Sequence, residues 1–258
     1  MKTEDYEYLY RLEEDFWWFR GMREITAALL DPACLPAPPG GRRILDAGCG
    51  TGGMMTWLGR YAGEGGSVVG LDLIPTALDF CRERSHEYLV QASATDLPFA
   101  DSSFDLVTSF DVLVQIPGRG SDERAMREMF RVLRPGGTAF VRVAAYEWMR
   151  SGHDDALGTQ RRYSLHVLAG RMKAAGFKIT RATYANSFLL PLAAVRRLLL
   201  KRLGVADSGS DVKPLPPSLA RLNSLFTRAL IAEARLLRAG RSLPAGLSAV
   251  CVAEKQKG

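Results

Sequence analysis

The strongest constraint in this 258-residue chain is the run Arg43-Ile44-Leu45-Asp46-Ala47-Gly48-Cys49-Gly50-Thr51-Gly52-Gly53. A short apolar segment ends in an acid, breaks into four glycines among six residues, and resumes as Met54-Met55-Thr56-Trp57-Leu58. That order reads as a buried strand, a tight turn and a helix start. Glycines at such a turn admit positive φ and let a ligand lie against the main chain, while the following helix aims its free N–H groups at it. Gly48, Gly50 and Gly53 also satisfy the dinucleotide pattern G-x-G-x-x-G, which alone separates few ligands.

Downstream segments narrow the choice. Ser67-Val68-Val69-Gly70-Leu71-Asp72 is a second strand ending in an acid suited to the two hydroxyls of a ribose. Then come Ala94-Thr95-Asp96-Leu97-Pro98-Phe99, Ser103-Phe104-Asp105-Leu106-Val107 and Leu133-Arg134-Pro135-Gly136-Gly137-Thr138. In this order, over about residues 16 to 183, the chain resembles class I S-adenosylmethionine-dependent methyltransferases of the type 11 group. Nothing in it resembles the second half of an NAD-dependent dehydrogenase. The resemblance implies a Rossmann-like α/β fold, a seven-stranded and mostly parallel sheet with helices on both faces, and S-adenosyl-L-methionine as cofactor.

The pattern of strands and helices agrees. Strands are predicted near 43–47, 67–72, 87–91, 104–109, 138–144 and 177–183, and helices near 53–62, 75–84, 121–133 and 164–175. Such alternation places ligands at the carboxyl ends of the strands. Residues 3 to about 30 read as one helix, followed by a proline-rich connector from Asp31. Trp17, Trp18, Phe19, Arg20 and Arg23 match a W-W-F-R-G-x-R signature of relatives, which implies an N-terminal lid over the cofactor with an arginine for its carboxylate. Large aromatics at helical spacing equally suit a core. After Asn186 the pattern shifts to two amphipathic helices. Leu192, Val195, Leu199 and Leu203 line the first, and Ser218 caps the second, which presents Leu222, Phe226, Leu230 and Leu237. Asp207 to Pro217 is a loop, and Leu247 to Ala253 a final strand antiparallel to the sixth. The domain expectation is a helical lid and linker (1–40), a Rossmann-like core (41–184), a helical cap inserted between the last two strands (185–245) and a last strand with tail (246–258). Packing of the two inserted helices on the sheet edge is the alternative to a cap.

Site residues follow from the resemblance. Gly48, Gly50 and Gly52 give room to the methionine and ribose portions, Asp46 holds the amino group, Asp72 takes the ribose hydroxyls, and Leu73 or Ile74 packs on the adenine. Trp18 and Arg20 belong to the lid, with Arg20 and Arg23 not separable. Many relatives carry an acid for the adenine amino group where this chain has Ser93, which leaves Ala94 and Asp96 as substitutes. Ser109 and Phe110 contact the methionine part through the backbone. A D-V-L-E-H run common in relatives is Asp111-Val112-Leu113-Val114-Gln115 here, so no histidine base stands at Gln115. Thr159 likewise replaces a histidine of closer relatives. His153 and Tyr163 remain as the polar groups expected to face an acceptor, a histidine near its ordinary pKa being a suitable base for a hydroxyl. His166 is read as structural or exposed, and His86, which precedes a strand far from the acceptor side, is set aside.

Charge and composition bound the partners. Residues 185–245 hold ten Lys or Arg against three acids, whereas the remainder holds 24 and 25, so the whole net charge of +6 arises in the insertion. That suggests a local anionic partner rather than a general nucleic-acid binder, and no nucleic acid is expected. The basic apolar helix over 187–203 suits an anionic acceptor or peripheral contact with a membrane carrying a lipid-linked one. Cys34, Cys49, Cys81 and Cys251 form no C-x-x-C pair and suit the reduced thiols of a cytoplasmic protein, and no metal site is expected. The leading expectation is methyl transfer to an oxygen of a small molecule or glycolipid-type intermediate. N-methylation of a small amine, RNA modification and cofactor binding without turnover are the alternatives.

Overall fold

The computed structural model describes residues 3–202 and 220–257. The expected loop Asp207–Pro217 and the Ser218 cap lie outside the described residues.

The N-terminal region forms two helices rather than one. α1 (Thr3–Leu12) and α2 (Trp17–Cys34) are separated by a turn at Glu13-Glu14-Asp15. Three consecutive acids offer a helix no internal compensation, and the break turns Glu13 inward to a buried position, 7% exposed. α2 also outruns its expected end, because Pro32 falls in the last turn and the helix stops two residues later.

The core then alternates as expected: β1 (Arg43–Ala47), α3 (Gly53–Ala62), β2 (Ser67–Asp72), α4 (Pro75–Glu83), β3 (Leu89–Gln91), β4 (Phe104–Phe110), α5 (Ser121–Val132) and β5 (Leu133–Ala144). A short 3₁₀ turn at Glu147–Met149 and α6 (Gly152–Leu157) were not apparent from periodicity. α7 (Leu165–Ala174), capped by the Ser164 hydroxyl on the Val167 N–H, leads into β6 (Lys178–Ala185). α8 (Leu190–Arg202), α9 (Ala220–Arg238) and β7 (Ser248–Glu254) complete the chain.

The seven strands form one sheet in the order β3-β2-β1-β4-β5-β7-β6. β7 runs antiparallel between β5 and β6, and the other pairings are parallel. β1 is an interior strand, with Asp46 in register with Gly70 of β2 and Thr108 of β4. Its side chains alternate between two layers, and Ile44 and Leu45 are both fully buried, as a parallel strand covered on both faces requires. Leu45, Val107, Val141 and Cys251 face α5 and α7 through Met126, Met129, Leu168 and Met172. Ile44, Leu106, Phe140 and Val250 face the opposite layer, built from α2, α3 and α9.

The insertion between β6 and β7 is therefore in large part a structural wall. α9 packs along α2, burying Leu230, Ala234 and Leu237 beside Met22, Ile25 and Leu29. α8 differs: Leu192 and Val195, expected on a packed row, are 56% and 55% exposed.

Gly21 explains the glycine of the W-W-F-R-G-x-R signature. A Cβ built there would lie 2.3 Å from Cδ1 and 2.6 Å from Cβ of Leu230, so the two helices touch through the missing side chain. In an isolated helix alanine would be favoured over glycine by about 1 kcal/mol. We expect Gly21→Ala to have the opposite sign, lowering stability by about 1–3 kcal/mol in denaturant unfolding, because α9 must be displaced. A gain in stability would refute the close α2–α9 contact.

Candidate functional site

The glycine turn after β1 occupies the carboxyl end of the sheet, and its glycines have different reasons to be glycine. Gly48, at φ 94°, would drive a Cβ to 2.1 Å from Val112, and Gly52, at φ 85°, would meet His86 and Cys81. Gly50 has φ 55° and nothing within 4 Å of a hypothetical Cβ, so it borders open space. Asp72, at the end of β2, braces this turn: its carboxylate accepts from the Gly50 N–H and the Ile74 N–H, both at 3.0 Å. His86 packs beneath, its Nε2 3.1 Å from both the Thr56 hydroxyl and the Gly52 carbonyl, a bracing role away from any acceptor.

Three carboxylates converge there. Asp46 is 1% exposed; its Oδ1 accepts from the Thr108 hydroxyl at 2.8 Å, while Oδ2 is buried with no hydrogen-bond partner among the described residues. Burial pushes its pKa up to about 7, the Thr108 bond opposes this, and the charges of Glu13 and Asp72 add to it. Glu13 reaches across from the α1–α2 turn. Its Oε2 accepts from the Thr51 hydroxyl at 2.6 Å and the Gly53 N–H at 3.0 Å, capping α3, whose own N-cap is a glycine. Burial raises its pKa. Arg84 secures the arrangement, donating to the Tyr10 carbonyl at 2.7 Å, the Glu14 carboxylate at 2.7 Å and the Thr51 carbonyl at 3.0 Å. It also stacks over the Tyr10 ring at 4.2 Å. Tyr6 on α1 is buried, its hydroxyl pushed up to about 12 by burial and by the charge of Asp72.

This donor set fits one charge of ligand. A pyrophosphate needs the N-terminus of the helix after the glycine turn, but the Glu13 carboxyl, itself 3.4 Å from the Arg84 guanidinium, already occupies that position. A dinucleotide is thus disfavoured by occupancy. An orphaned carboxylate oxygen, two neighbouring acids and an open Gly50 suit a ligand carrying positive charge and a ribose, as S-adenosyl-L-methionine does. Asp46 and Glu13 would face its cationic methionine end, and Asp72 its ribose.

The remaining candidates divide. Trp18 and Phe110 meet at the Arg142 guanidinium beyond β4, with its Cζ 4.9 Å from the Trp18 ring and 5.1 Å from the Phe110 ring. Trp17 packs away from it, on Phe226 of α9 at 5.0 Å. Arg20 is exposed on α2, whereas Arg23 is half-buried, donates to the Glu14 carbonyl at 2.7 Å and feels the charge of Glu13; the inward arginine is Arg23, not Arg20. Leu73 is 59% and Ile74 38% exposed beside Asp72, on the open side of β2. Ala92 donates to the Asp72 carbonyl, which brings the Ser93–Asp96 turn alongside. Within that turn the Ser93 hydroxyl is engaged by Thr95, Ala94 is buried in the core and Asp96 is exposed. The Ser109 side chain is buried, and its neighbour across the pairing, Val141, belongs to the α5–α7 layer; this leaves only its backbone toward the crevice.

Tyr163 must be corrected. It is 1% exposed in the core, its hydroxyl donates to Asp122 at 2.6 Å, and Asp122 is paired with Arg161 and Arg171. Burial and that carboxylate raise its pKa, so it is a poor base. His153 lies on α6, but its side chain is outside the described residues. Glu13, Tyr6 and Arg142 were missed as site residues. Only Arg142 carried a sequence signal, a lone charge within the apolar strand Phe140-Val141-Arg142-Val143-Ala144.

A family model described as a methyltransferase domain matches residues 45–141. The ubiquinone/menaquinone biosynthesis C-methyltransferase UbiE of Vibrio vulnificus is 34% identical over 142 residues, covering 52% of each protein. The chain thus spans about half the length of the curated relatives it matches. Among solved structures, a methyltransferase from Thermotoga maritima described as a possible histamine N-methyltransferase superposes with a TM-score of 0.59 at 17% identity, covering 98% of this chain and 95% of that one. A phosphoethanolamine N-methyltransferase of Haemonchus contortus, solved with S-adenosylhomocysteine, gives 0.61 at 17% identity over 100% of this chain and 59% of that one. At that identity they speak for the fold alone. The chain carries a methyltransferase domain on the Rossmann-like class I fold. The cofactor of such a domain is S-adenosyl-L-methionine.

Asp46 supplies a pH test. Its folded pKa lies above the ordinary value of about 4, so its protonated form is favoured on folding. The stability it contributes is complete below about pH 4 and is lost as pH rises toward about 7. A cationic ligand needs the ionised form instead. Calorimetry with S-adenosylhomocysteine should show affinity rising from about pH 6 to 8 in wild type, and a weaker, flatter profile in Asp46→Asn. Identical profiles would remove Asp46 from the site.

Proposed function

We propose that this chain transfers the methyl group of S-adenosyl-L-methionine to a small hydroxylated molecule or a glycolipid-type intermediate, at oxygen or at a carbon conjugated with it. The observation that carries this reading is the orphaned Asp46 oxygen among three acids at the glycine turn. The bound cofactor supplies an already activated methyl group, so the residues around it have chiefly to orient an acceptor, a contribution worth roughly 7–11 kcal/mol in favourable cases. Asp72 would fix the ribose, and Asp46 with Glu13 would hold the cationic end. α1 and the α1–α2 turn, held by Arg84, would act as the lid that keeps water out.

Transfer to carbon is supported by the name of the Vibrio relative, a C-methyltransferase. It is supported also by Tyr163, whose commitment to Asp122 withdraws it as a base. An acceptor that is methylated on carbon, or arrives with its oxygen ionised, needs less from a base. Labelled cofactor offered with phenols, enolisable ketones, amines and sugars should give methylated product with a phenol or enol. Turnover confined to amines, or no cofactor binding, would overturn the reading.

We also propose peripheral membrane contact through residues 187–203, which would suit a lipid-linked acceptor. Phe188, Leu192, Val195 and Trp148 are exposed, and the Arg197 guanidinium donates to the Met149 carbonyl, tying α8 to the turn that bears Trp148. Flotation with anionic vesicles should be salt-sensitive and be lost in Leu192→Ser/Val195→Ser. Absence of flotation by wild type would favour a soluble acceptor.

A further inference from the structure

The other charged group in the crevice is Arg142. It projects from β5 into the layer shared with Phe140 and Val250, and is 5% exposed. Its Nε and Nη2 both meet Oδ2 of Asp111, at 2.9 and 2.8 Å. The two rings already described lie against it, with its Cζ over Trp18 from α2 and over Phe110 from β4. Three of the four directions around the guanidinium are therefore occupied. The fourth, at Nη1, has no hydrogen-bond partner among the described residues and is not one of their fully buried unpaired atoms, so it is the edge left to solvent or to a ligand.

The ion pair is also polarised. The Arg142 side chain is 6% exposed and that of Asp111 29%, so water screens the carboxylate more than the guanidinium. The guanidinium is close enough for Asp46 to feel its charge. Acids line the glycine-turn half, and a cation with an unused donor edge lines the other. Aromatic rings bound the second half, as a flat ligand would require.

We infer that Arg142, held by Asp111 and clamped between Trp18 and Phe110, is the acceptor-binding residue, taking through its Nη1 edge the oxyanion of a small planar molecule: a phenolate, enolate or aryl carboxylate. This rests on the methyltransferase reading and names the class of its acceptor. A guanidinium suits such an oxygen because its planar N–H groups form charge-assisted bonds stronger than neutral ones. The same oxygen would thereby be kept ionised without a protein base, consistent with the commitment of Tyr163 to Asp122. Since Trp18 belongs to α2, docking of the N-terminal segment and completion of the acceptor site are one event.

The test is calorimetric titration of 4-nitrophenolate, 4-hydroxybenzoate and neutral 4-nitrotoluene into the full chain saturated with S-adenosylhomocysteine, with Trp fluorescence as a second readout. At least one anion should bind saturably, and about tenfold more tightly than 4-nitrotoluene. Arg142→Gln should weaken the anion by at least about tenfold while changing S-adenosylhomocysteine affinity by less than about threefold. Arg142→Lys should fall between. Asp111→Asn should tighten the anion, because the guanidinium loses its competing charge; a merely structural pair would not give opposite signs. Should Arg142→Gln fail to fold by its melting curve, Arg142→Lys and Asp111→Asn decide alone.

Other outcomes are distinguishable. Failure of wild type to bind S-adenosylhomocysteine sinks the methyltransferase reading and this inference together. Normal cofactor binding with no anion bound, or with anion affinity indifferent to Arg142 and Asp111, sinks this inference only. Loss of S-adenosylhomocysteine affinity in Arg142→Gln, with anion binding kept, would assign Arg142 to the cofactor's own carboxylate and overturn the acceptor role.

Discussion

A carboxylate buried at the end of the interior strand β1 sets the terms for the rest of this molecule. Asp46 sits where β1 is flanked on both sides by parallel neighbours and covered on both faces, with one oxygen bonded to Thr108 and the other without a hydrogen-bond partner among the described residues. Burying an acid in this way is unfavourable unless something compensates it. Arg142 compensates it in part and Arg84 pairs with Glu13, yet the added charges of Glu13 and Asp72 and the burial leave the pKa of Asp46 raised. A cluster of this kind is preorganised for positive charge, because the unfavourable electrostatics already exist before the ligand arrives.

The N-terminal helices connect that site to the core. α2 is held by the close approach of Gly21 to Leu230 on α9, and one turn earlier it presents Trp18 to Arg142. α1 is held through Arg84, which gathers Tyr10, Glu14 and Thr51 into one set of bonds at the edge of the glycine turn. The segment is thus neither a free flap nor only packing. Its inner residues belong to the hydrophobic layer, and its polar ones complete the crevice.

Charge within the crevice is sorted along its length. Acids gather at the carboxyl ends of β1 and β2, and the guanidinium of Arg142 stands on β5, beyond β4. The strand order maintains this separation, since β4 lies between the two halves and contributes Thr108 to one and Phe110 with the following Asp111 to the other. A positively charged donor and an electron-rich acceptor would be drawn to different ends of the same groove.

Local pattern in the sequence determined the elements. The alternation of apolar runs with helical periodicity places β1, α3, β2, α4, β4, α5 and α7 within a residue or two of their observed bounds. The glycine spacing and Asp72 locate the ligand end of the sheet, because turn chemistry and strand ends are local properties. What only the tertiary structure decided depends on contacts between distant residues. The break at Glu13 follows from a donor for its carboxylate on α3, the Gly53 N–H 40 residues away. Tyr163 looks available in sequence and is withdrawn by Asp122, 41 residues distant. Arg142 reads as an oddity in a strand until Asp111, Trp18 and Phe110 surround it. Periodicity shows which face a residue occupies, but not which partner waits on that face, and it is the partner that sets charge and availability.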